Sequence, residues 1–133
     1  MRQINQGQKG AAGLEFAIIA ALFLMIIFGI IEFGLIMYAK GIITNAGREG
    51  ARFGVIYSSP RKTDPEIQAK VQDYLQGSGF TDPVVITVTG AGGSTEANLT
   101  VKVDYTYHFL ILPSFVPGIS NITLSAETVM RLE

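Results

Sequence analysis

Side chains able to do chemistry are sparse in this sequence, and two of them stand in an unusual place. There is one histidine, His108, and no cysteine, which excludes disulfides and thiolate metal sites. His108 falls in an alternating strand pattern beside Lys102 and Asp104, the setting of a solvated surface residue rather than of a positioned general base. The acids are scattered, with neither D-x-D-x-D-G nor H-E-x-x-H spacing. The stretch TGAGGS (residues 89–94) lacks the G-K-[ST] ending of a phosphate loop and joins two strand patterns, as a hairpin turn does. NLT and NIT match the glycosylation sequon, a pattern short enough to arise by chance. No catalytic set and no metal site is expected, and no cofactor is called for. The unusual acids are Glu15 and Glu32, both set in an apolar run where a carboxylate is costly.

The elements around those acids follow from composition. Charged residues are 16% of the chain and the net charge is −1, so nucleic-acid binding lacks support. Hydrophobic residues are 48%, and the excess sits between Phe16 and Ile31, continuing past Glu32 to Tyr38. Residues 14–39 make enough helix to cross a hydrocarbon core of about 30 Å at about 1.5 Å per residue. A secretory signal would be shorter and would end in a better cleavage site than Met37-Tyr38-Ala39. A buried soluble helix would need more chain to wrap it. Arg2 and Lys9 precede the span, while Lys40, Arg48 and Arg52 follow it, so the basic residues leave orientation open. The short polar tail favours a cytoplasmic N-terminus.

One helix is expected from about residue 12 to about residue 56, its far half amphipathic through Ile42, Ile43, Ala46, Phe53 and Ile56. Two ridges of small residues recur at helical spacing: Gly13, Ala17 and Ala21, then Ala46, Gly50 and Gly54. A break near Lys40-Gly41 is the alternative. After the loop YSSPRKTDPE, Asp64 reads as an N-cap with Pro65 at the first helical position, and Ile67, Val71 and Leu75 make a core stripe. Gly77 or Gly79 should end this helix. PVVITVTG, NLTVKVDYTYHF and ITLSAETVMRLE read as strands. Leu99, Val101, Val103, Tyr105, Tyr107 and Phe109 share one face of the second. The fold class is α+β: a long membrane-spanning helix, then a small domain of one helix and a three-stranded antiparallel sheet. The expected divisions are 1–10 as a leader, 11–57 as the long helix (extension 40–57), and 58–133 as the domain, with both helices covering the sheet.

Glu15 needs a counter-charge. If the chain is cut between Gly10 and Ala11, the new α-amine lies one helical turn from Glu15 and could pair with it. Pairing with the amine of a neighbouring subunit would relieve the burial of the acid only upon assembly, which would set register. The ridge at Gly13, Ala17 and Ala21 would give that neighbour room to approach.

At this point the residues resemble a known family. A short basic leader ending in Gly10, then Ala11 to Leu14, then Glu15, Phe16 and an apolar helix is similar to the class III signal of type IV pilins and pseudopilins. GAAGLEFAIIAALFLMIIFGIIEFG followed by NAGREGARFGV resembles more narrowly the TadE-like proteins of tight-adherence (Tad, type IVb) pilus systems, over about residues 7–56. TadG-type proteins are usually longer. The resemblance implies a prepilin peptidase of the inner membrane cutting after Gly10, optional N-methylation of Ala11, and a need for Glu15 in assembly. It also implies a pilin-like fold and a domain facing the periplasm of a bacterium. The implied partners are other pilin or pseudopilin subunits, Tad inner-membrane assembly proteins and the lipid bilayer, with possible export into an extracellular pilus. Flp-type pilins often carry Glu-Tyr where this chain has Glu15-Phe16, a change that leaves the helix and the acid intact. Glu32 reads either as an interfacial acid or as a second polar contact with another subunit. The competing function is an uncut, membrane-anchored periplasmic adaptor or binding domain, which would have no use for Glu15 at that depth.

Overall fold

The computed structural model describes residues 6–111, 113, 116 and 118–133. Its elements are α1 (Gln6–Val55), α2 (Asp64–Gly77), β1 (Val84–Thr89), β2 (Asn98–His108) and β3 (Asn121–Arg131), which is the α+β class expected. α1 is 50 residues long and continuous through Lys40-Gly41, so the two-helix alternative is not what forms. It also begins earlier than about residue 12, because Gln6, Gln8 and Lys9 are good helix formers and extend the run of Ala and Leu. Residues 1–5 of the expected leader lie outside the described residues.

Two compact units share this chain. One holds α1 up to Gly34 together with Phe109–Ser120; the other holds Leu35–His108 and Asn121–Glu133. In the second unit the sheet order is β1-β2-β3, all antiparallel, with β2 in the middle. Val88 faces Val101 across the first pair, and Val103 faces Ala126 across the second. The β1–β2 connection is the hairpin expected from TGAGGS. Gly90 (φ 90°) and Gly92 (φ 70°) take left-handed backbone there, and a Cβ on Gly90 would collide with the carbonyl of Asn98.

The core of this unit lies between one face of the sheet and both helices. Leu99, Val101 and Val103 from β2 are fully buried, as are Ile67, Val71 and Leu75 from α2 and Ile43, Ala46 and Ala51 from α1. Each large aliphatic side chain buried this way contributes roughly 1.5–3 kcal/mol of transfer free energy. The contact face of α1 differs from the apolar stripe read in the sequence: Phe53 is half-buried and Ile56 exposed. The small ridge packs instead. Gly50 lies against Val71, and a Cβ on Gly54 would stand 2.5 Å from Leu99 Cδ2 and 2.6 Å from Ile67 Cδ1. Close approach of helix and core requires glycine there, and outweighs the helix propensity it sacrifices.

α2 begins one residue before the expected cap. Thr63, in extended backbone (φ −92°, ψ 161°), is the N-cap, and Asp64 lies in the first turn. Glu66 folds back to accept from the Thr63 backbone N–H at 2.8 Å and from its hydroxyl at 2.9 Å, the reciprocal half of a capping box. Those bonds hold the Glu66 carboxyl below the usual range, the backbone N–H of Thr63 being the larger cause. The helix reaches Gly77, with Ser78 as C-cap and Gly79 left-handed at φ 73°. The end of α1 is held by the chain's last residue, whose N–H donates to the Val55 carbonyl at 3.2 Å.

Candidate functional site

The first half of α1 is apolar and uncovered. Its most apolar window of 18 residues contains no buried residue, and the helix is long and apolar enough to cross a membrane. Leu14 is 65% exposed, Phe16 73% and Ile19 66%, an arrangement that water penalises and lipid does not. This is the make-up of a membrane anchor.

Apart from Glu32, the sequence-predicted residues lie along this surface. Gly10, Ala11, Gly13, Glu15, Phe16, Ala17 and Ala21 are exposed on continuous helix. Space is open beside Gly13, where an added Cβ would meet nothing within 4 Å. The two small ridges of α1 therefore differ: the one around Gly50 is filled by the chain's own domain, and the one at Gly13 is free for another helix.

Helical geometry then brings some of these residues together and separates others. Ala11 and Glu15 are four positions apart and stack on one face, so an amine at Ala11 would lie over the acid. Glu15 is two positions from both Gly13 and Ala17, about 200° around the helix at about 100° per residue. The acid and the small ridge thus occupy opposite faces of the helix. One helix can present its ridge while a second presents its acid, which is a heterologous contact of the kind that propagates into a filament.

Glu32 is the residue the sequence left between two readings, and the structure gives it partners within the chain. Among the described residues it is the buried charged one, 1% exposed. Its carboxylate accepts from the backbone N–H of Leu110 at 2.9 Å and of Ile111 at 3.0 Å. An interfacial acid reaching for water would be exposed, and a contact kept for another subunit would be open. Here the acceptor is occupied by the chain's own β2–β3 connection. No periodicity relates positions 32 and 110, so only the residue type, a lone acid in an apolar run, hinted at it.

The remaining candidates are unremarkable chemically. His108 is exposed at the end of β2. A shallow groove between α2 and β1, lined by Pro65, Gln68, Ala69, Gln72, Val84 and Ile86, contains no titratable side chain. Among the described residues no group of three or more His, Cys, Asp or Glu is placed to hold a metal ion. In the sheet, Lys102 Nζ stands 3.0 Å from Asp104 Oδ2, and the Ser125 hydroxyl foremost, then Lys102, holds the Asp104 carboxyl below its usual range.

Comparison with family models finds one match, to TadE-like protein, over residues 10–52. It starts at the expected cleavage glycine and takes in Glu15, Glu32, the ridge at Gly13, Ala17 and Ala21, and Ala46 and Gly50 of the second ridge, while Gly54, α2 and the sheet lie outside it. Curated proteins and solved structures yield no match. Over residues 10–52 the chain is thus similar to TadE-like proteins, as its residues implied.

Proposed function

We propose that this protein is a non-enzymatic minor pilin or pseudopilin of a tight-adherence (type IVb) pilus system. A prepilin peptidase removes residues 1–10, and the helix beginning at Ala11 then carries the subunit from the inner membrane into an assembly. The N-terminus is cytoplasmic and the sheet domain periplasmic before that transfer. The observation that carries this reading is the placement of Glu15. It is an exposed acid on an otherwise apolar helix, on the face of Ala11 and opposite an open ridge of small residues. A carboxylate in lipid is costly unless it finds a partner, and the α-amine created by cleavage is a cation within one turn. Across two subunits the same pair, acid from one and amine from the other, would make insertion into a growing filament favourable and fix its register.

The deciding measurement is the intact mass and N-terminal sequence of the protein isolated from its host's membranes. A chain starting at Ala11, methylated or not, is the expected result. A chain still starting at Met1 in cells with active peptidase would overturn the pilin reading in favour of an uncut membrane-anchored adaptor.

A further inference from the structure

We propose that the connection after β2 is a second membrane contact, in which Leu110 and Ile119 rest among the lipid acyl chains beside the helix while Glu32 satisfies the backbone N–H groups of Leu110 and Ile111. The argument begins with depth. Counted from Leu14, the first residue of the expected span, Glu32 lies about 27 Å along the helix at about 1.5 Å per residue, near the far side of a hydrocarbon core about 30 Å thick. Glu32 therefore lies close to the far boundary of that core. At this level a stretch of non-helical chain is attached, through the two bonds from Leu110 and Ile111.

Irregular backbone is kept out of the lipid core except where the protein covers it and satisfies its polar groups, so at the boundary of that core the N–H groups of the connection need acceptors from the chain itself. A carboxylate offers several acceptor sites to neighbouring N–H groups, and here its two oxygens take one each. The same two bonds make the acid tolerable in an apolar setting, since a buried carboxylate without donors is far more costly than one that is bonded. The composition of the connection agrees. FLILPSFVPGIS (residues 109–120) has no charged residue, unlike the polar loops that join α1 to α2 and β1 to β2. Leu110 is 71% exposed and Ile119 42%, which water would penalise and an acyl boundary would reward. The stretch also belongs to the same compact unit as the apolar half of α1. The lipid that surrounds the helix is thus continuous with what covers the connection.

This inference requires the anchor but not cleavage at Gly10. The chain has no tryptophan, so a single introduced indole reports its own surroundings. Full-length L110W and I119W are reconstituted at low density in phosphatidylethanolamine–phosphatidylglycerol vesicles containing brominated lipid, with F23W as the helix control and V85W as the domain control. The expected result is blue-shifted emission from L110W and I119W, quenched several-fold more by bromine than V85W and little by aqueous acrylamide. Adding Glu32→Ala should reverse that preference for L110W, and Glu32→Gln, which keeps an acceptor, should reverse it less. Lipid quenching of F23W alone would overturn the second contact while leaving the anchor. Quenching of neither would overturn both. Protection of L110W that appears only when the protein is crowded would identify another subunit as the cover, and would also overturn the proposal. An L110W signal indifferent to Glu32→Ala would remove Glu32 from it.

Discussion

Three carboxylates in this chain answer to three different partners, and each arrangement predicts its own behaviour. Glu15 has no ion pair among the described residues and is exposed on the anchor. Replacing it by Ala or Leu lowers the cost of placing the helix in lipid, so membrane insertion should be unchanged while piliation or secretion falls. Fractionation paired with a pilus count separates the two, and normal piliation in the variant would count against the acid as an assembly lock. Glu32, by contrast, already has donors, so Glu32→Ala should act on the protein's own structure. Asp82 serves a phenol: Tyr105 donates to its Oδ2 at 2.8 Å, and its ring packs edge-on to Phe80 at 4.9 Å. Burial first, and the bond to Asp82 second, push the Tyr105 phenol up to about 12. The folded state thus holds this proton more tightly than the unfolded chain, whose tyrosines titrate at about 10. The group's contribution to stability is complete below that value and is lost as pH rises through about 12. In an ultraviolet titration, Tyr105→Phe should delete a phenol that ionises above the usual tyrosine range. Asp82→Ala should bring it only part of the way down, because burial remains.

α1 is one helix doing two jobs, and its glycines separate them. Gly41 has open space around an added Cβ, whereas Gly50 and Gly54 are pressed against Val71, Leu99 and Ile67. Gly41→Ala should therefore stabilise by up to about 1 kcal/mol through helix propensity. Gly50→Ala and Gly54→Ala should destabilise by about 1–3 kcal/mol, since Val71, Leu99 and Ile67 are fully buried and have nowhere to move. Thermal melts of the full chain in detergent, followed by circular dichroism, would show the melting temperature move in opposite directions. A rise in all three would mean that the helix does not seat its glycine face on the core. Sheet and α2 show the same dependence on contact. Gln68 Nε2 donates to the Ile86 carbonyl at 3.3 Å, and the Lys40 ammonium donates to the Ser125 carbonyl, so polar contacts tie α2 to β1 and α1 to β3.

At the scale of the molecule, the domain is not complete without the end of the anchor helix. Ala39, Ile43, Ala46, Ala51 and Val55 belong to its core, so a chain beginning at residue 58 would leave Leu99, Val101 and Ile67 uncovered. Such a fragment should give poorly dispersed amide spectra or aggregate, while one beginning at Leu35 should fold. Well-dispersed spectra from the shorter fragment would contradict this division. By itself the sequence determined the anchor, the unbroken alternation of β2, the Ile67–Val71–Leu75 stripe and the small-residue ridges, because each is periodic along the chain and needs no distant partner to be recognised. It also singled out Glu15 and Glu32 by residue type. What only the tertiary structure decided was which partners those features meet. The ridge at Gly50 is taken by the chain's own core, although it is written in the same small residues as the open ridge at Gly13. The part of α1 in the core is Ile43, Val55 and the small residues Ala46, Gly50 and Gly54 rather than Phe53 and Ile56, because the close approach at Gly50 and Gly54 leaves no room for a larger side chain. Glu32 is bonded to Leu110 and Ile111, a contact between positions far apart in sequence. Period and composition are local properties, whereas a hydrogen bond between distant segments depends on where folding brings the backbone.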